Sequence, residues 1–215
     1  MAKAERTGQR MERGARRWRN PDMGHYFIVT DTAETEKNYF IGFRNSLPQK
    51  LQGRIVIEVA KAKTNKLVET CESQAALDPQ YAERWIVFDR DKVPRFDEII
   101  AEAERKGIQV GWSNPCIEIW FQAYFGGMYD CPDSVACCRK FSSIYEEKTG
   151  REYSKSNDQL YAVLNQYGDE AAAVRMAKTR LRGYLQNDVK KPSNMCPCTT
   201  VHKLIGEVKD KVYKI

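Results

Sequence analysis

Asp89 and Asp91 close a short apolar run, Trp85-Ile-Val-Phe-Asp-Arg-Asp91, and place two carboxylates one residue apart. At the C-terminal mouth of a buried parallel strand, where open α/β sheets hold their ligands, two such anions repel each other and lose solvation. A hard cation such as Mg²⁺, or Mn²⁺ in its place, relieves both costs. The chemistry in view is therefore metal-assisted, with a divalent ion polarising a phosphoryl oxygen and acidifying coordinated water. Asp is also an ordinary turn residue after a strand, so the pair carries weight only if other residues converge on it.

Four apolar runs, at 26–30, 54–59, 85–88 and 108–112, alternate with segments of helical character, the pattern of βαβ units around a parallel sheet. Helical spacing is expected over 36–45, 61–74 and 95–107, the last stopped by Gly107. From Ser113 onward no further strand is expected. Ser113-Asn-Pro is read as the opening of a buried helix through Phe125, with Ser or Asn capping and Pro in the first turn. Helices at 134–148, 157–167, 170–185 and 199–213 follow. The expected architecture is an α/β, doubly wound, four-stranded parallel sheet over 23–127, a helical extension over 128–215 packed on it, and a basic arm over 1–22.

Right-handed crossovers bring the C-terminal ends of all four strands to one edge. In the strand order 2-1-3-4, strands one and three are neighbours and their mouths form the switch-point crevice. Asp31, directly after strand one, then joins Asp89 and Asp91 as the expected metal ligands. Glu36 is either a further site residue or an acid favouring a helix N-terminus. Glu118 lies in so apolar a segment that burying it demands a cation or a donor. It is read either as a ligand or base, or as a capping partner of Ser113 or Asn114. Lys155 is either a charge for a scissile phosphate or a solvated lysine.

The stretches Asp31-Thr-Ala-Glu-Thr-Glu-Lys-Asn-Tyr-Phe40, Asp89-Arg-Asp91, Ser113-Asn-Pro-Cys-Ile-Glu-Ile-Trp120 and Tyr153-Ser-Lys155, in that order, resemble the motifs of the RloB family of prokaryotic defence proteins. The resemblance spans about Tyr26 to Val208, and Ser-Asn-Pro-Cys-x-Glu-x-Trp is its most specific part. It implies a TOPRIM-like domain, a small α/β module in which an acid after the first strand and an Asp-x-Asp after the third bind divalent metal. It also implies nuclease-like activity in anti-phage defence by abortive infection, with an ABC or structural-maintenance (SMC) type ATPase as partner and a homodimeric assembly. The family pattern after strand one is Cys-Glu-Gly-Glu-Lys-Thr-Glu. Here Thr30, Asp31, Thr32 and Ala33 stand at its first four positions, so the first acid is one methylene shorter, with Glu34 or Glu36 placed to compensate.

Composition narrows the rest. The 215 residues include no run near the roughly 18 apolar residues of a membrane span, and the polar, basic start lacks the apolar core of a signal peptide. A cytoplasmic protein without a membrane partner is expected, with its seven cysteines as reduced thiols. The net charge of +6 is uneven. Lys3 to Arg19 is dense in Lys and Arg, with Glu5 and Glu12 as its acids, and reads as a mobile tail or as an arm for phosphates. Arg175, Lys178, Arg180, Arg182, Lys190 and Lys191 form a second basic region beside Tyr184. Cys131, Cys137, Cys138, Cys196 and Cys198 match no common zinc-finger spacing. His25 and His202 lack the setting of a base for a nucleophile, and no phosphate-binding glycine loop follows a strand.

The leading expectation is Mg²⁺-dependent cleavage of DNA or RNA phosphodiester bonds. The alternative is a catalytically weakened TOPRIM-like sensor or scaffold that regulates a partner. A haloacid-dehalogenase-type phosphatase carries its Asp-x-Asp after strand one rather than strand three, and a receiver domain needs a later Lys after a fifth strand.

Overall fold

Strand β1 (Tyr26–Thr30) is buried along its whole length, which explains why it reads as a continuous apolar run rather than an alternating one. Its even residues Tyr26 and Ile28 point into one core and its odd residues Phe27 and Val29 into another. β3 (Glu83–Asp89) divides the same way, with Trp85 and Val87 on one side and Ile86 and Phe88 on the other. The sheet is thus the middle layer of three. The structure is a computed structural model and describes residues 23–60, 64–78, 80–91 and 93–213. The basic arm expected over 1–22 lies outside the described residues.

With β2 (Ile55–Val59) and β4 (Gln109–Asn114), the sheet runs β2-β1-β3-β4-β5, five strands among the described residues. The first four are parallel, in the order expected. The fifth corrects the four-stranded expectation: β5 (Cys198–Thr199) pairs antiparallel with β4, Ser113 opposite Thr199 and Asn114 opposite Cys198. Two residues carry no periodicity, so nothing local marks them as strand; the pairing is held by side chains. Ser113 Oγ meets Thr199 Oγ1 at 3.1 Å, and Thr200 Oγ1 accepts the Trp112 N–H at 2.9 Å.

One face carries α3 (Leu67–Ala76) and α4 (Phe96–Arg105), whose Leu67, Cys71, Phe96 and Ile100 enter the second core. Gly107, at φ +69°, lies just beyond α4, as the stop signal requires. The other face carries α1 (Thr35–Ser46), α5 (Glu118–Tyr124), α6 (Ser134–Thr149), α7 (Leu160–Tyr167), α8 (Glu170–Gln186) and α9 (Val201–Tyr213), which share the first core. Helix α2 (Gln49–Gln52), a single turn, joins α1 to β2. No described helix is long and apolar enough to cross a membrane.

Two predicted features are overturned. Ser113 and Asn114 do not cap a helix; they end β4, and the Asn114–Pro115 bond is cis. Helix α5 starts later, at Glu118, and the N–H of Ile117 just before it is bound from β3. The reason is that β5 offers both residues a strand partner, which outcompetes local capping. Within the packed layer, Trp120 Nε1 donates to Tyr39 Oη at 2.8 Å, Tyr39 and Tyr124 share a hydroxyl bond of 2.8 Å, and Tyr124 donates to Glu170 at 3.0 Å. This buried chain locks α5 against α1 and α8.

α1 also lies tight against α7. A Cβ on Gly42 would sit 2.6 Å from Tyr161 Cβ, closer than atoms pack. Gly42→Ala is therefore expected to destabilise the protein by about 1–3 kcal/mol, outweighing the gain of about 1 kcal/mol in helix propensity. A lowered urea midpoint is the readout; an unchanged one would mean that α7 can step back.

Candidate metal centre

The parallel register sets the site. Thr30 lies opposite Val87, and Asp89 opposite Ser113, so Asp31 and Asp89 leave neighbouring strands at the same edge. The Asp31 N–H donates to Val87 O at 3.3 Å, which holds the first residue beyond β1 against β3. Glu36 is in the first turn of α1 and Glu118 opens α5, so both helices start at this edge. Asp31, Glu36, Asp89, Asp91, Glu118 and Lys155 all line one cleft of about 930 Å³. A second cleft, of about 960 Å³, is lined by Arg175, Arg180 and Tyr184 of α8 and by Met128 and Tyr129, and by no carboxylate.

Each acid is held differently. Asp31 Oδ2 accepts from Thr64 Oγ1 at 3.4 Å, while Oδ1 is buried without a partner. Asp89 Oδ2 accepts the Ile117 N–H at 3.0 Å and caps the turn leading into α5, while Oδ1 is again an orphan. Glu36, 2% exposed, accepts from Thr32 Oγ1. Glu118, 1% exposed, accepts from Tyr153 Oη at 3.0 Å through Oε1, which also lies 3.8 Å from Lys155 Nζ; its Oε2 has no partner. Its predicted capping role at Ser113 or Asn114 is therefore absent. Asp91 differs from the others: it is exposed, sits at φ +22°, and accepts from Ser134 Oγ of α6 at 2.6 Å. Its backbone N–H donates to Pro115 O at 2.9 Å, so the turn after β3 is stitched to the segment before α5.

The electrostatics follow from burial and crowding. Burial pushes the Asp31 carboxyl up to about 6, against the hydrogen bond from Thr64. Burial and then the neighbouring Asp31 charge push Glu36 up to about 8. Asp89 is held well above the usual carboxylate range, first by burial and then by Glu36, Glu118 and Asp31. Without a cation Glu36 still holds a proton that an ordinary carboxyl has lost at neutral pH.

A scan of protein families matches residues 26–208 to the family described as RloB-like protein. The chain belongs to the RloB-like family. The matched region contains all six predicted site residues of this RloB-like protein and the whole cleft edge. Neither curated proteins nor solved structures give a match.

Sequence reasoning missed four side chains that shape the cleft. Thr64 precedes α3 and meets Asp31 only through the sheet order. Ser134 reaches Asp91 across forty-three residues. Cys116 and Cys138 line the same wall, and with Glu118 they form, among the described residues, a group of three ligating side chains whose donor atoms lie within 4.8 Å of one another. This trio is distinct from the predicted Asp31, Asp89 and Asp91. Cys116 did stand inside the most specific motif, but its partner is 22 positions away with no paired-cysteine spacing to signal it.

Proposed function

We propose that this RloB-like protein is a divalent-metal-dependent nuclease of TOPRIM-like design, cleaving DNA or RNA phosphodiester bonds in anti-phage defence. One observation carries the reading: Asp31 Oδ1 and Asp89 Oδ1 are buried without partners in the wall of a single cleft. Buried polar atoms are nearly always satisfied, and two orphaned carboxylate oxygens at one cleft edge fit a hard cation. Asp31 and Asp89 would hold Mg²⁺ or Mn²⁺, with Asp91 contributing from the rim and Glu36 and Glu118 adjacent. When bound, the cation supplies Lewis acidity toward a phosphoryl oxygen and a lowered pKa for coordinated water.

The chain's own groups do the remainder. Glu36, at about 8, can hold or accept a proton near neutral pH, the property of a general acid or base. Lys155, 57% exposed, sets positive charge at the cleft where a scissile phosphate must enter. The basic face of α8 and the arm over 1–22 are suited to the flanking strand through phosphate contacts. The family resemblance supports the ABC or SMC type ATPase partner, the homodimer and the cytoplasmic setting as parts of the same proposal.

The test is cleavage of single- and double-stranded DNA and RNA by the full chain with Mg²⁺ or Mn²⁺, with chelator, and with an Asp89→Ala, Asp91→Ala double variant. Metal-dependent products lost in both controls are expected. A double variant that still cuts sinks the assignment. Metal binding with no cleavage of any substrate, alone or with the ATPase, would turn the reading to the sensor or scaffold.

A further inference from the structure

The cleft wall holds a second donor set of different chemistry. Cys116 lies between β4 and α5, Cys138 on α6, and their sulfurs are 4.0 Å apart. A Glu118 carboxylate oxygen completes a trio with all separations within 4.8 Å. In a tetrahedral site with metal–sulfur distances of about 2.3 Å and metal–oxygen distances of about 2.0–2.2 Å, neighbouring donors stand about 3.5–3.8 Å apart. The trio is thus near that spacing already, whereas a disulfide would have to bring the sulfurs to about 2.05 Å.

We infer that Cys116, Cys138 and Glu118 form a three-ligand site for a soft divalent cation of the zinc class, with its fourth position open to the cleft. Glu118 points to a ligand independently of the thiols, since it is 1% exposed and its Oε2 has no partner. Tyr153 Oη donates to its other oxygen at 3.0 Å, the kind of outer contact that orients a ligating group. Binding releases one proton from each thiol. Two thiolates and one carboxylate bring three negative charges, the cation offsets two, and the Lys155 ammonium, 3.8 Å from Glu118 Oε1, balances the third. Thiolate donors select zinc-like ions over Mg²⁺, so this ion is separate from the one proposed beside Asp31 and Asp89. The inference does not rest on nuclease activity.

Co²⁺ titration of the reduced full chain tests it. One Co²⁺ per chain is expected, with a thiolate charge-transfer band in the near ultraviolet and visible d–d bands, both lost when Zn²⁺ displaces it. Cys138→Ser, at a half-buried helix position, should remove the charge-transfer band while circular dichroism stays unchanged, and Cys116→Ala should do the same. Cys196→Ser, at an exposed thiol, should keep it. Tyr153→Phe should weaken binding roughly 10–100-fold. No band in the parent chain, or a band unchanged in folded Cys138→Ser, overturns the site. A band in a protein that cuts no nucleic acid upholds it and separates it from the nuclease proposal.

Discussion

Asp89→Asn is expected to lower metal-dependent cleavage by more than about a hundredfold and, at pH 8, to raise the melting temperature of the metal-free protein. The first effect follows from position: Asp89 Oδ1 is a buried orphan in the cleft, and even the outer partners of metal ligands are worth about 10–100-fold. The second follows from what Asp89 costs when no cation is bound. Burial and the charges of Glu36, Glu118 and Asp31 hold its carboxyl well above the ordinary range. At pH 8 the fold must either keep a proton on it or carry a buried charge, whereas the unfolded chain solvates that charge freely. Asn retains an oxygen for the Ile117 N–H, 3.0 Å away in the parent, and removes the ionisation. The variant is therefore expected to melt at a higher temperature than the parent in chelator. Thermal melts with chelator and with saturating Mg²⁺ check both halves. A variant that is less stable in chelator, or that still gains stability from Mg²⁺ as the parent does, contradicts this account of Asp89. The trade between stability and function is the expected mark of residues kept for binding rather than for packing.

How much of this was legible before the fold was known depends on how local each signal was. β1 and β3 could be read because strands buried on both faces are continuous apolar runs, and the acids at their ends converge once the strand order is assumed. Helices α6 and α8, Ser134–Thr149 and Glu170–Gln186, fall within a residue of their expected ends, each opened by an Asp whose side chain accepts from the third residue on. What was not legible rests on partners remote in sequence. β5 is two residues that become strand only because β4 has an open edge there. Ser113-Asn-Pro has the composition of a helix start, and the same edge claims it for the sheet. Asp91 had the right spacing, but its turn at φ +22° and the hydroxyl of Ser134 place it at the rim, while Asp89 goes inward. The Cys116–Cys138 pair depends on how α6 packs beside α5, and no residue spacing encodes that contact.

Glu36 contributes to the pH dependence of stability above neutrality, beside Asp89, whose carboxyl is also held above the ordinary range. His202, lowered by burial to about 4, is neutral in the fold, so it makes stability rise with pH between about 4 and 6.5. Asp31, raised to about 6, binds a proton more tightly in the fold, so it makes stability fall between about 4 and 6. The two have opposite signs and similar shifts, and both have largely finished titrating by pH 7. Glu36 continues to about 8. Over pH 6.5–8 its carboxyl is ionised in the unfolded chain and still largely protonated in the fold, so the stability it contributes at low pH is lost as pH rises. The loss is about 1.4 kcal/mol per pH unit, hence about 2 kcal/mol over the interval and roughly 4–8 °C in melting temperature. Glu36→Gln should reduce this slope in chelator, leaving the part that Asp89 contributes. Saturating Mg²⁺ should flatten it in the parent, because a cation at the cleft displaces the protons these carboxyls would otherwise retain. Melting curves at half-unit pH steps distinguish the cases: a slope undiminished in Glu36→Gln assigns the proton to another group, and one undiminished in Mg²⁺ argues against a cation at this edge of the sheet.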